Sequence, residues 1–400
     1  MNWTLTLKEF IREHAGEDVN RLLLAASRYP EIDMAFAVEQ IAARKQIQEK
    51  LPSWHANDEL IFPSRLAAEQ CSSELTARYK QRLVSESMHL CDLTGGLGID
   101  TLFFSRKVKQ VSYLERFQAY CEAARHNFKS LGATNINVLE GDALEVLPTL
   151  SGIDAFYIDP ARRGDGNKRV YALQDCEPDL VKLLPELLRQ APLVIAKISP
   201  MADIRQTLEL LPGVTEIHVL SVKNECKEIL FVIREKAAIS DPHIYCINLV
   251  GNREETFDFT LSEEENTLPG FTHTTQKYLY EPNASVLKAG AFKCITRLGV
   301  TKLHINSHLY TSGQLLEDFP GRRFVIEEIL PFNNKCCKTI RTKIPKANIS
   351  TRNFPLSVDA LRKRSGIQEG GDIYLFATTL ANQEKVLISS RKASGEEQNH

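Results

Sequence analysis

Four carboxylates between residues 92 and 159 stand at the ends of apolar runs, and their order carries a chemical reading. Asp92 closes Leu90-Cys91, Glu115 closes Gln110 to Leu114, Asp142 follows Ile136 to Leu139 through Glu140-Gly141, and Asp159 closes Ala155 to Ile158. An acid at a strand tip accepts hydrogen bonds from the hydroxyl and amino groups of a nucleoside lying across the strand ends. The first tip runs on as CDLTGGLGID, so Gly95, Gly96 and Gly98 fall where a strand turns into a helix carrying Leu102, Phe103 and Phe104. Glycine at such a turn allows φ > 0 and lets the backbone approach a ligand. Alone, this turn suits a nicotinamide-binding domain or a plain structural turn equally well. The later tips separate the readings. Glu115, 23 residues beyond Asp92, is placed for two ribose hydroxyls and Asp142 for an adenine amino group, whereas a dinucleotide enzyme has no use for Asp159-Pro160 at a fourth tip.

Over about Leu83 to Ile233 these residues resemble the class I S-adenosylmethionine-dependent methyltransferases. DLTGGLGID matches the glycine motif, YLER the ribose-binding acid, EGDALEV the adenine-contacting segment and YIDPARR the catalytic loop. The resemblance implies an α/β fold, a doubly wound Rossmann-like methyltransferase sheet, with S-adenosyl-L-methionine as cofactor. It implies that Asp92, Gly95, Gly96 and Gly98 line the methionine and ribose part, that Glu115 takes the ribose hydroxyls and that Asp142 faces the adenine. Thr94, Asp100, Arg116 and Ala143 are implied as further cofactor-binding residues. Asp159 and Pro160 are implied at the methyl-acceptor site, with Arg162 as a third residue of the catalytic loop.

Together with VIAKISP after the fifth strand, the pattern is most similar to enzymes that methylate guanine exocyclic amines in RNA, notably the small-subunit rRNA guanine-N2 type. Amine methylation needs alignment of the nitrogen lone pair and an acceptor for the NH2 hydrogens more than it needs acid-base chemistry. Asp159 is the expected acceptor. The chain departs from the common amine-methylating loop in having Ala161 and Arg162 where a second Pro and an aromatic stand. Asp-Pro-x-Arg is instead similar to the pyrimidine-C5 RNA methyltransferases, which add a Cys thiolate to the ring. Their Cys follows the fifth strand, where Ala196 to Met201 reads AKISPM without one. Cys226, further on, enters an apolar run and reads as a small core residue.

The remaining chain must support these tips. At 400 residues with 43% hydrophobic content, it is long enough for several cores. No apolar run reaches membrane-spanning length, and MNWTLTLKEFIREH carries charges where a signal peptide is apolar, so a cytoplasmic, non-membrane protein is expected. Nine cysteines with no C-x-x-C pair read as reduced, mostly buried thiols. His304 and His308 form no metal-ligating cluster, and no metal is expected. Residues 1–80 read as a helical N-terminal region, with Leu22, Ala25 and Ala26, then Met34, Val38, Ile41 and Ala42, at helical spacing. The segment Phe62 to Lys80 leads into the first strand, where related methyltransferases place a helix over the cofactor; Ser64, Gln70 and Ser72 are either contacts there or capping and surface residues.

Residues 81–236 form the expected methyltransferase domain, with Glu235 to Asp241 as linker. A small α+β, ferredoxin-like domain is expected over 238–316, with strands at Tyr245 to Val250 and Thr256 to Leu261. Over 317–395, the run ANISTRNFPLSVDALRKRSG resembles the THUMP-like domain fused to bacterial methyltransferases, which implies an RNA-handling module. Charge supports it independently: the chain is at net −2, yet Asn333 to Gly366 holds nine Lys and Arg against Asp359 alone. Such a patch attracts phosphate backbones, unless it is merely a solvated face; Arg352, Arg362, Lys363 and Arg364 are the candidate contacts, and Phe354 stacks on a base or belongs to the core. The expected function is methylation of a base in rRNA or tRNA. The alternatives are an RNA-binding protein with an inactive methyltransferase fold, or a methyltransferase acting on protein or a small molecule.

Overall fold

The four apolar runs become neighbours in one parallel sheet. β1 (His89–Asp92), β2 (Gln110–Glu115), β3 (Ile136–Glu140) and β4 (Ala155–Ile158) end at the four acidic tips. β5 (Ala161–Arg162) and β6 (Cys176–Glu177) make a short antiparallel ribbon beyond β4. β7 (Leu193–Ile198), β8 (Val214–Val222) and β9 (Glu225–Arg234) come next along the chain. Strands covered on both faces need no polar alternation, and β4 is buried at every position. The structure, a computed structural model, describes residues 3–162, 173–235 and 241–393; most of the expected linker at 235–241 lies outside them, as does the Arg162 side chain.

The chain divides into two compact units, Met1–Thr215 with Ile229–Ile239 and Glu216–Glu228 with Ser240–His400. In the first, the strand order is β3-β2-β1-β4-β7-β9, parallel as far as β7 and antiparallel between β7 and β9. The chain runs outward from β1 to β3, then restarts at β4 on the other side. Strand order therefore reverses between β1 and β4, and a crevice opens outside their carboxyl ends. This is the doubly wound α/β sheet expected for the region.

The N-terminal helices Leu5–Glu13, Val19–Leu24 and Met34–Ile47 share a core of Leu7, Phe10, Ile11, Leu22, Met34, Val38 and Ile41. Farther along, Leu51, Trp54, Phe62 and Ala68 pack with Leu102 and Phe103 of helix Ile99–Ser105 and with Tyr113 of β2. That packing fixes helices Arg65–Gln70 and Glu74–Lys80, each capped by a serine, Ser64 or Ser73.

In the second unit, β10 (His243–Val250) pairs parallel with β8 and antiparallel with β11 (Arg253–Thr260). The sequence assigns these two runs to a small domain over 238–316; β10 also hydrogen-bonds to β8, and β11 pairs with β10. A second sheet has the order β13-β14-β12-β15-β18-β17-β16, from β12 (Tyr278–Pro282), β13 (Thr301–Lys302), β14 (Tyr310–Ser312), β15 (Gly321–Pro331), β16 (Asn348–Arg352), β17 (Tyr374–Thr379) and β18 (Lys385–Lys392). Tyr278 of β12 lies opposite Val325 of β15, so the expected boundary at 316/317 falls between two neighbours of one sheet. Local pattern announces a strand but not its partner. Helices Asn334–Lys343 and Val358–Ser365 pack on this sheet through Ile340, Leu361, Leu375 and Leu387. No helix among the described residues is long and apolar enough to cross a membrane.

Candidate functional site

The crevice at the strand-order reversal is a cleft of about 380 Å³ lined by Asp92, Thr94, Gly95, Gly96, Gly98, Asp100, Glu115, Arg116, Asp142, Ala143 and Asp159, among others. The strand tips thus gather the sequence-derived candidates for cofactor binding with Asp159. Pro160 follows Asp159 directly, and the backbone of Arg162 lies in β5.

The glycine turn is fixed by its neighbours. Gly98 caps helix Ile99–Ser105 at φ 82°, in the left-handed region that disfavours a side chain. A Cβ on Gly95 would sit 2.2 Å from the Tyr113 ring, and one on Gly98 2.7 Å from Phe128. At these two positions glycine is required by rings of the protein itself rather than by room for a ligand. Gly96, at φ 54°, donates its N–H to Glu115 Oε2 at 3.0 Å, and its carbonyl accepts the Tyr113 hydroxyl at 2.6 Å. Glu115 Oε1 accepts the Phe117 N–H at 2.9 Å. Each carboxylate oxygen so engaged keeps lone-pair capacity for a hydroxyl.

Asp92 is 1% exposed and accepts from the Thr94 N–H at 3.1 Å and the Thr101 hydroxyl at 2.6 Å. Burial pushes its carboxyl up to about 7, and the nearby charges of Asp100 and Asp159 push the same way. Asp142 caps the short helix Ala143–Val146, accepting the Leu144 N–H at 2.9 Å. Arg116 pairs with Glu177 at 3.1 Å and lies over the Phe117 ring.

Asp100 belongs to a polar cluster beneath the cleft. Lys80, fully buried, donates to Asp100 Oδ1 at 2.7 Å and to Ser72 Oγ at 2.8 Å. The Ser72 and Tyr157 hydroxyls each donate to Asp100 Oδ2 at 2.7 Å. Burial alone would raise the Asp100 carboxyl, but the ammonium groups of Lys80 and Lys197 outweigh it and hold it at about 2. Lys197 Nζ stands 2.5 Å from Asp159 Oδ2 and donates to Ser72 Oγ at 3.2 Å. The Asp159 N–H donates to Thr94 Oγ1 at 2.7 Å, tying the fourth tip to the first.

Sequence reasoning missed several of these residues. Lys197 carried one signal, a lone lysine in the apolar run LVIAKI. Phe117 and Leu144, 52% and 63% exposed, line the cleft as apolar side chains left open beside the acidic tips. Of the N-terminal candidates, Gln70 and Ser72 line the cleft, while Ser64 caps its helix and shares a hydrogen bond with the Tyr120 hydroxyl. Cys226 is not among the cleft residues, and burial pushes its thiol up to about 11.

In the second unit the expected RNA contacts divide. Arg352 Nη2 pairs at 2.7 Å with Glu281, whose other oxygen is taken by Arg322. Phe354, half-buried, packs edge-on against Phe332, ring centroids 4.7 Å apart, at the margin of the domain core. Arg362 is held to the Ala347 carbonyl at 3.2 Å. Arg364 binds Asn334 and lies over Phe332, and both it and Lys363 are exposed. Among the described residues no group of three His, Cys, Asp or Glu side chains is arranged to hold a metal ion.

The chain has relatives on both levels. Residues 278–320 match a family described as a ferredoxin-like domain, and residues 321–392 one described as THUMP domain-like. An uncharacterized RNA methyltransferase of Synechocystis sp. is 32% identical over 127 residues, 31% of this chain and 24% of that protein, so the match spans about a quarter of that relative. A solved structure from Porphyromonas gingivalis W83, provisionally assigned as a methyltransferase, superposes with a TM-score of 0.90 at 42% identity, covering 98% of each chain. At that identity over nearly the full length of both, the chain belongs to the methyltransferase family of the Porphyromonas gingivalis protein, and its own residues carry the ferredoxin-like and THUMP-like matches.

Proposed function

We propose that the protein is an S-adenosyl-L-methionine-dependent RNA methyltransferase that modifies an exocyclic amine, guanine favoured, in rRNA or tRNA in the cytoplasm. The observation that carries this reading is the convergence of Glu115, Asp142 and Asp159 on one cleft with two exposed apolar side chains, Phe117 and Leu144. That donor and acceptor set suits an adenosine: carboxylates for ribose and adenine, and apolar faces for the purine ring. When bound, the cofactor supplies a methyl group on a sulfonium sulfur, already a good leaving group. Asp92, Gly96 and Glu115 hold the turn beneath it, Asp142 and Ala143 border the adenine end, and Thr94, Asp100 and Arg116 complete the cofactor contacts.

At the fourth tip, Asp159 accepts hydrogen bonds from the target NH2 and aligns its lone pair, with Pro160 and Arg162 bordering the acceptor. A thiolate route is disfavoured, because the raised thiol of Cys226 stays protonated at neutral pH. Residues 81–236 act as the catalytic domain, and the basic helices of the THUMP-like region supply sequence-independent RNA affinity. Calorimetric titration with S-adenosylmethionine, together with mass spectrometry of rRNA and tRNA nucleosides from a deletion strain, tests the proposal. Absence of binding removes the cofactor, and a strain lacking no methylated nucleoside removes the RNA.

A further inference from the structure

Asp159 has an orientation problem that its own loop does not solve. Thr94 holds its backbone N–H, but the side chain is 37% exposed and rotates about two torsions, and Pro160 offers no N–H beside it. The carboxylate is engaged from another strand. Ile158 of β4 lies opposite Ala196 of β7, so residues 159 and 197 leave adjacent parallel strands side by side, and Lys197 Nζ takes Asp159 Oδ2 at 2.5 Å. A lysine stem is itself flexible. It is anchored at its tip by Ser72 Oγ, which donates in turn to Asp100 and accepts from Lys80. The chain of contacts ends on a fully buried ammonium inside a packed helix end, where little can move.

We propose that Lys197 is a positioning residue for methyl transfer, holding one oxygen of Asp159 so that the other faces the methyl-accepting group, and that Ser72 sets the position of Lys197. The pair is partly buried, with side-chain exposures of 12% for Lys197 and 37% for Asp159, and the role proposed for it is geometric. Ser72 comes from the segment before β1, and this links the N-terminal region to the acceptor site rather than only to the cofactor. The inference rests on the reading of Asp159 as the acceptor-facing carboxylate, and the experiment separates the two.

The test uses the full chain, steady-state methylation of bulk tRNA and rRNA from a deletion strain, and calorimetric affinity for S-adenosylhomocysteine. Lys197→Met should lower kcat by on the order of 100-fold with KM and S-adenosylhomocysteine affinity within about twofold of the parent. Lys197→Arg should recover most of that loss, and Ser72→Ala should lower kcat about tenfold. In an Asp159→Asn background, Lys197→Met should add almost nothing, as expected of two residues acting as one unit. Unchanged kcat in Lys197→Met, or full additivity with Asp159→Asn, overturns the positioning role. A tenfold loss of S-adenosylhomocysteine affinity with kcat intact makes Lys197 a cofactor ligand instead. Should Lys197→Met not fold, Lys197→Arg and Ser72→Ala decide the matter. Full turnover by Asp159→Asn, or none by the parent, removes the underlying reading rather than the relay.

Discussion

Glu115 accepts the Gly96 amide at 3.0 Å, so the acid at the tip of β2 also holds the glycine turn beside β1. Glu115→Ala should therefore lose hydroxyl contacts and loosen the turn together. Affinity for S-adenosylhomocysteine should fall by about 2 to 3 kcal/mol by calorimetry. Full affinity in a folded variant excludes Glu115 from the site.

Phe117 and Leu144 contribute little to folding because both are already solvent-exposed. Replacing either by Ala should shift the unfolding free energy by less than about 0.5 kcal/mol. If they flank the adenine, each should nevertheless cost about 1 to 2 kcal/mol of cofactor affinity. An equal loss of stability and affinity would show that they are packing residues.

Stability should depend on pH through Asp92. Its carboxyl is pushed up to about 7 in the folded chain, while the unfolded group titrates near 3.8. Between these values the folded state holds a proton that the unfolded state has lost, so stability falls as pH rises from about 4 to about 7 and then levels. Asp92→Asn carries no charge to bury, and should exceed the parent at pH 8 by at most about 4 kcal/mol and lose that advantage at pH 4. Asp100, held at about 2, titrates below this window. Denaturant unfolding at the two pH values measures the difference, and an advantage independent of pH contradicts the assignment.

Asp159→Ala should abolish methyl transfer while leaving cofactor affinity nearly intact, and Cys226→Ala should be almost silent. A dead Cys226→Ala enzyme, or a covalent adduct with fluoropyrimidine RNA, would point to carbon methylation.

Much of this site was legible because parallel strands buried on both faces are continuous apolar runs, and the acids at their tips mark where each one ends. β4 occupies Ala155–Ile158, the run read from the sequence. Lys197, Ser72 and Lys80 were not legible as partners of Asp159 and Asp100, because the sheet and helix packing join residues up to 125 positions apart. Phe354 was legible only as a choice between stacking and core. The second unit's pairings, β10 on β8 and β12 on β15, likewise depend on contacts that no local pattern encodes.

RNA binding should rest on lysines that fold the domain least. Lys335, Lys338 and Lys363 are exposed on the two helices of the THUMP-like region, whereas Arg352 and Arg362 are engaged within it. Changing the three lysines to Gln should reduce the slope of log K against log salt by about 2 to 3, similarly for unrelated RNAs. An unchanged slope would leave the patch as a solvated face.

The interrupted course of the first unit constrains its synthesis. β9, which covers the edge of β7, is made only after the chain has turned through Glu216–Glu228, residues of the other unit. A nascent chain that has emerged from the ribosome only as far as Thr215, or a fragment cut there, carries every acidic tip of the cleft yet exposes the hydrogen-bonding edge of β7, an open template for aggregation. Any excised catalytic fragment therefore has to run through Arg234, and the cleft acquires its finished scaffold only once that residue is made, although Lys197 is the last residue along the chain to line it.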